Sequence, residues 1–146
     1  MTKKNEVYLC PVCGSVLEVL NIGAAPVCCG KPMTRLDEND SDGAYEKHVP
    51  VVDFIDGSMR VRVGASDHPM TDAHYIKWIE LICSGSVSRK ELNPGDKPEA
   101  VFTLKESDNF DGSSGSCALK TVVARAYCNL HGLWKSDRVK MSDAVR

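Results

Sequence analysis

No stretch of this 146-residue chain approaches the ~20 consecutive apolar residues that span a bilayer, so no membrane helix is expected. The opening MTKKNEVYLC has no apolar core behind its two lysines. That argues against a secretory signal and leaves the cytosol as the expected compartment. A large charge of one sign is also missing. Basic residues number 18 and acidic residues 20, for a net charge of −2, too even to suggest a nucleic-acid or membrane-surface binder. No internal repeat and no long amphipathic helix can be read. Core formers are not lacking: 42% apolar and 26% charged residues fit an ordinary globular protein and argue against a disordered one.

Cysteine is what the chain has in excess, with seven, at positions 10, 13, 28, 29, 83, 117 and 128. A reducing cytosol does not favour a disulfide framework, and an odd count leaves at least one cysteine unpaired. Thiolates held for metal are the better reading.

Two composition shifts divide the sequence. Residues 1–36 carry four of the seven cysteines and no histidine, and DENDSDGA at 37–44 reads as an acidic linker or turn. A first domain over 1–36 is too short to bury a core, so a metal is its expected staple and dimerisation a second one. Val7–Leu9 and Val16–Leu20 read as short strands around a Cys-Pro-Val-Cys-Gly turn. The second domain, 37–146, is β-rich: strands are predicted at Val49–Ile55, Met59–Val63, Tyr75–Ile82, Glu99–Leu104 and Thr121–Tyr127. Asp56-Gly57 marks a hairpin and Asn93–Asp96 a turn. Short strands punctuated by turns predict a mainly β chain with a sandwich as its larger part. Residues 105–117, KESDNFDGSSGSC, read as a mobile loop.

Cys10 and Cys13 form a C-x-x-C knuckle whose tight turn aims two sulfurs at one point, and Cys28-Cys29-Gly30 supplies a second pair. Four thiolates favour a tetrahedral iron or zinc site, and spacing alone does not separate the two. Adjacent cysteines normally point apart, so the 28–29 pair should distort the tetrahedron. A thioredoxin-type dithiol fits less well, since it needs only two cysteines on a βα turn.

The second domain holds all four histidines: His48 in EKHVP, His68 in DHPM, His74 in AHY and His131 in CNLHG, three residues after Cys128. Each lies at a strand end or in a loop, and loops at one end of a sandwich converge. A single loop histidine is usually an ordinary surface or core residue. Four of them, one tied to a cysteine, suggest a metal centre. Imidazole with thiolate suits iron, zinc or copper. Counting leaves a blue-copper site open, with Met33, Met59, Met70 or Met141 as axial ligand, though two histidines would then be unexplained.

Taken together, the C-x-x-C with Cys-Cys-Gly, and EKHVP, HPM, HYIKWIEL, NPGDKPEA and YCNLHGLWK in that order, resemble the desulfoferrodoxins, the two-iron superoxide reductases. The resemblance implies a small desulforedoxin-like metal-binding domain followed by an immunoglobulin-like β-sandwich, usually as a homodimer. It implies two non-haem iron ions per chain. One is held by Cys10, Cys13, Cys28 and Cys29. The other is held by equatorial His48, His68, His74 and His131 with axial Cys128. The implied activity is one-electron reduction of superoxide to hydrogen peroxide at the ferrous His4Cys site, as detoxification in an anaerobe or microaerophile. An external donor such as rubredoxin returns the electron. Lys47 is then the candidate for steering the anion, and Glu46 resembles the family carboxylate that takes the sixth position of the oxidised iron. Without the motif, the two would read as a solvated charged pair.

Residues 105–117 look longer than the family loop, and Ser136–Arg146 runs past the family's usual end. Cys83 reads as a small buried hydrophobe and Cys117 as exposed and incidental. Two other readings compete: a rubredoxin-like electron carrier using only the four-cysteine centre, and a zinc-stapled binding module. Neither gives the histidines a role.

Overall fold

Short runs rich in β-branched and aromatic residues, such as Pro50–Ile55 and Thr121–Cys128, build strands and no helix in the computed structural model, which describes residues 1–41, 47–83, 86–103 and 121–140. No helix there is long and apolar enough to cross a membrane. The chain divides into two compact units, Met1–Asp37 and Glu38–Arg146.

In the first unit, β1 (Val7–Leu9) lies between β2 (Val16–Glu18) and β5 (Thr34–Arg35), both antiparallel to it. A separate hairpin pairs β3 (Val27–Cys28) with β4 (Lys31–Pro32). The core is Tyr8, Cys10, Val19 and Met33, with Leu17 and Cys28 against it. So small a core does not offset the chain entropy of 37 residues by itself, and two of its members are cysteines of the metal motif.

The second unit is a two-layer β-structure. One sheet runs β11 (Glu99–Thr103), β8 (Ser58–Val63), β7 (Pro50–Ile55). The other runs β10 (Ser86–Glu91), β9 (Ile76–Cys83), β12 (Thr121–Cys128), β13 (Gly132–Lys135), β6 (Glu38–Asn39), with β14 (Val139–Lys140) also on β12. Strand β8 has the alternation a half-buried strand needs: Met59, Val61 and Val63 are buried and Ser58, Arg60 and Arg62 half-buried. Its three apolar residues share one core with Ala100 of β11 and, from the other sheet, Ile76, Ile79, Leu81, Ala124, Ala126 and Cys128. Asp56 and Gly57 turn the β7–β8 hairpin with φ of 45° and 74°, the left-handed pair of a type I′ turn. Asp53 accepts hydrogen bonds from Arg60 (3.1 Å) and Arg62 (2.9 Å) on the outer side of that hairpin.

A row of charge crosses the larger sheet. Glu80 and Arg125, 0% and 1% exposed, pair across β9–β12 at 2.7 Å. Arg89 of β10 reaches the other Glu80 oxygen at 3.4 Å, and Glu38 of β6 accepts from Arg125 at 3.0 Å. Glu38 therefore belongs to a strand. The 37–44 run is only in part the expected linker, because β6 gains a parallel ladder with β13 and this ion pair.

Strand β10 was not anticipated either. Its residues Ser86–Glu91 are all exposed and show no alternation; pairing with β9 makes them a strand. Cys83 is buried, as its reading as a small buried hydrophobe expects, and it is also disulfide-bonded. Its partner lies outside the described residues, whereas Cys10, Cys13, Cys28, Cys29 and Cys128 are free. The expected loop at 105–117, Cys117, Met141 and Glu46 also fall outside the described residues.

Candidate metal centres

The first knuckle follows β1. Cys10 follows the strand, its N–H donating to Ser15 O at 2.8 Å, and the N–H groups of Val12 and Cys13 point at Cys10 Sγ from 3.4 and 3.5 Å. Gly14, at φ 76°, closes the turn by donating to Cys10 O. The second pair sits on the β3–β4 hairpin. Cys29 takes a left-handed φ of 53°, uncommon for a residue with a Cβ. With that turn, the sulfurs of the two neighbouring cysteines lie 3.9 Å apart. Cys28 Sγ is also 3.7 Å from Cys13 Sγ, and all four sulfurs lie within 4.8 Å of one another.

Electrostatics states what such a cluster needs. Cys13 is pulled down to about 6, chiefly by the Ser15 hydroxyl and then by the Ser15 N–H. Cys28 is pushed up to about 12, first by the Cys10 sulfur and then by that of Cys13. Four thiolates in this volume repel one another unless a cation joins them. The donor set fits a tetrahedral thiolate-bound metal.

The second cluster gathers residues from four separate segments. His48 precedes β7, His68 and His74 lie in the β8–β9 connection, Cys128 ends β12, and His131 stands in the turn to β13. Their ligand atoms also lie within 4.8 Å of one another. Neighbouring rings in the order His48, His68, His74, His131 have centroids 4.7, 4.6 and 4.8 Å apart, and the circuit closes from His131 to His48 at 4.8 Å. Successive planes are steeply inclined, by 72° to 84°. His48 and His74 face each other across the diagonal at 6.3 Å. Four imidazoles are thus set as the vanes of a square.

Atom by atom, the square is arranged for a cation. His68 donates Nδ1–H to Pro69 O at 2.7 Å, which leaves the lone pair on Nε2, and Nε2 is buried with no hydrogen-bond partner. His74 Nε2 is likewise buried and unpartnered. An orphaned buried imidazole nitrogen is costly unless a metal takes it. Burial, and then the neighbouring histidine charges against a Pro69 bond that opposes it, holds His68 down at about 4, so it is the neutral, ligating form. His48 Nε2 meets His131 Nδ1 at 3.0 Å, and that nitrogen is 3.7 Å from Cys128 Sγ. Burial pushes the Cys128 thiol up, while the backbone N–H groups of His131 and Leu130 work the other way by bonding the sulfur. The residues fit a metal with four nitrogen donors and one thiolate. Met59 and Met33 lie in the two cores, so neither supplies the axial ligand that a blue-copper site needs.

Lys47, next to His48, is exposed, and its charge is felt at His74, whose pKa is lowered by burial, by His131 and by Lys47. Gly64, at φ 85°, lets the Lys47 carbonyl pass: a Cβ there would stand 2.6 Å from Lys47 O. Two residues near the cluster were not singled out from sequence. Trp134 stacks on His48 (4.6 Å, 22°) and donates its indole N–H to His131 O at 3.1 Å. Asn129 bonds the loop that carries His74. Both stand in YCNLHGLWK; only their place beside the ligands could have marked them.

Comparison with known proteins agrees with this geometry. The family model "Desulfoferrodoxin" matches residues 40–137, and "Desulfoferrodoxin, N-terminal domain" matches residues 2–36. The chain belongs to the desulfoferrodoxin family. It is 48% identical over 138 residues to the desulfoferrodoxin of Syntrophotalea carbinolica, covering 94% of this chain and 99% of that one. It is 33% identical over 112 residues to the superoxide reductase of Pyrococcus horikoshii, covering 66% and 89%. Among solved structures, the superoxide reductase of Treponema pallidum aligns with a TM-score of 0.68 at 28% identity, covering 92% of this chain and 98% of that one. The four-cysteine and His4Cys clusters are the two-iron arrangement of the desulfoferrodoxins, and iron is the metal both clusters fit.

Proposed function

We propose that this desulfoferrodoxin is a superoxide reductase, which reduces superoxide by one electron to hydrogen peroxide at its His4Cys centre. The observation that carries the reading is the square of four imidazoles with a buried cysteine sulfur among their ligand atoms. His48, His68, His74, His131 and Cys128 would hold the iron, and five protein donors would leave room at it for a small anion. Iron bound there would supply the electron. Cys128, which takes an N–H bond from His131, would hold the thiolate that raises electron density at the metal.

The protein's own contribution is to bring the anion in and to supply protons. Superoxide plus one electron and two protons gives hydrogen peroxide, so no dismutation is needed. Lys47 raises the local concentration of the anion and its rate of encounter, and its ammonium orients a water for proton delivery. By resemblance, Glu46 would supply a carboxylate to the oxidised centre and so help to release product. The four-cysteine centre keeps the small domain folded, and homodimerisation through that domain is part of the same reading. The electron donor is a rubredoxin-like protein, and the setting is the cytosol of an anaerobe or microaerophile.

Mixing the reduced protein anaerobically with a limiting amount of superoxide tests this. One hydrogen peroxide per superoxide and no dioxygen is the expected yield. Half an equivalent of each would mean dismutation, and unreacted superoxide would leave only an electron carrier.

A further inference from the structure

Strands β9 and β12 pair in register down to Tyr127, and the ladder then slips, so that Cys128 faces Ile76. Past that bulge the two backbones separate, β12 into the turn that carries His131 and β9 back into the loop that carries His74. The next residue, Asn129, bridges the gap. Its backbone N–H donates to Tyr75 O at 3.2 Å. Its side-chain Oδ1 accepts from Tyr75 N–H at 2.9 Å, and its Nδ2 donates to Ala73 O at 3.0 Å. The carboxamide thus replaces a peptide group and extends the ladder by one step. Ala73 and Tyr75 flank His74, so its backbone is gripped on both sides by the residue that follows the sulfur ligand.

We propose that Asn129 is a positioning residue that fixes the His74 imidazole relative to the Cys128 sulfur. It touches neither metal nor substrate. The geometry is specific: the carboxamide has one acceptor and one donor group, and here each has its complement at the right distance. Thr71, which accepts from His74 N–H at 3.1 Å and donates to His74 O at 3.2 Å, closes the loop on itself but does not tie it to β12. It is Asn129 that makes that tie through its side chain. In metal sites generally, removing a group that orients a ligand costs about 10- to 100-fold in metal affinity.

The inference rests on iron occupying the His4Cys cluster but not on superoxide being the substrate. Its readouts are therefore spectral position and iron retention. Full-length protein with both centres loaded is compared as wild type, Asn129→Ala and Asn129→Asp. Fluorescence of Trp78 and Trp134, both in the same unit as Asn129, serves as the control for folding. Asn129→Ala removes both side-chain bonds. It is expected to move the thiolate-to-iron band of the oxidised His4Cys centre and to speed loss of that iron to a chelator by about 10- to 100-fold. The band of the four-cysteine centre should not change. Asn129→Asp keeps the acceptor for Tyr75 N–H and loses the donor to Ala73 O, so its loss rate should fall between the other two. If Asn129→Ala does not fold, Asn129→Asp against wild type decides. A band and a chelation rate equal to wild type in the folded variants overturn the proposal. A wild type that takes up no second iron overturns it too, through the reading beneath it.

Discussion

Replacing Gly64 by alanine should disable the His4Cys centre from a position that holds no ligand. Two effects add at this residue. The first is backbone strain, since a φ of 85° is poorly tolerated by a residue with a Cβ and costs about 1–2 kcal/mol. The second is collision. The new carbon would stand 2.6 Å from Lys47 O and nearer still to Ser66 O, both backbone atoms that no rotamer change can move. Ordinary contact begins at 3.4 Å, so the Lys47 carbonyl must retreat by about 0.8 Å. Lys47 precedes His48, and Gly64 N–H donates to Val49 O just beyond it. The retreat therefore carries His48 out of the square. Misplacement on the order of 1 Å in an active site can cost ~100-fold in rate. Gly57→Ala supplies the control: Gly57 has a similar φ of 74° but nothing within 4 Å of its added carbon. Each variant is assayed for iron in the His4Cys centre and for superoxide reduction by stopped flow. Gly57→Ala should lose about 1 kcal/mol of stability with both readouts intact. Gly64→Ala should lose iron from that centre, rate, or both. Equal behaviour of the two variants would refute the argument, because strain alone would then explain Gly64.

Three further outcomes are expected. Lys47→Ala should slow the encounter with superoxide by roughly tenfold at low salt and flatten its dependence on ionic strength; rates equal to wild type at low salt would remove the steering role. Glu80→Gln leaves the buried Arg125 guanidinium without its 2.7 Å carboxylate partner. It should cost about 3 kcal/mol, the lower end for a broken buried pair because Glu38 still accepts from Arg125. Both tryptophans, Trp78 and Trp134, lie in the second unit, so fluorescence in urea reports that loss directly. Asp53 is held below the ordinary carboxylate range: burial raises its pKa, but hydrogen bonds from Arg60 and Arg62 outweigh it. A lowered folded pKa gives stability that is complete above the unfolded value of ~4 and is lost as pH falls through the folded one. Asp53→Asn should therefore cost well under 1 kcal/mol at pH 7, screened by solvent, and progressively less as pH falls below ~4. A constant difference across that range would contradict the assignment.

The ligands were legible because their chemistry is tied to spacing. C-x-x-C, Cys-Cys-Gly and Cys-x-x-His place donors on tight turns whose geometry is local, whereas His48, His68 and His74 were joined to them by the family resemblance; the structure gathers all nine donors into two clusters. The strands of the sandwich were legible where one face is apolar, as in Met59–Val63. Legibility failed where a residue's state is set by a distant partner. Ser86–Glu91 is polar throughout and becomes a strand only because β9 offers it a ladder. Glu38 looked like part of a linker until Arg125, remote in sequence, was placed beside it. The oxidation state of Cys83 depends likewise on a partner that spacing does not identify. Spacing also left iron, zinc and copper open. Membership of the desulfoferrodoxin family settles the choice, and it is not a local property of the sequence. Asn129 and Trp134 belong to the same class, since their roles exist only once β9, β12 and the loop before β7 converge.

Iron content together with the visible spectrum, before and after oxidation, tests the central claim most directly. Wild type should hold two irons per chain, with a four-thiolate spectrum and a separate thiolate-to-iron band that appears on oxidation. Cys128→Ser should lose that second band and superoxide reduction while keeping the four-thiolate spectrum. One iron per chain after full reconstitution, or a second band that survives Cys128→Ser, would contradict the assignment of a catalytic His4Cys centre.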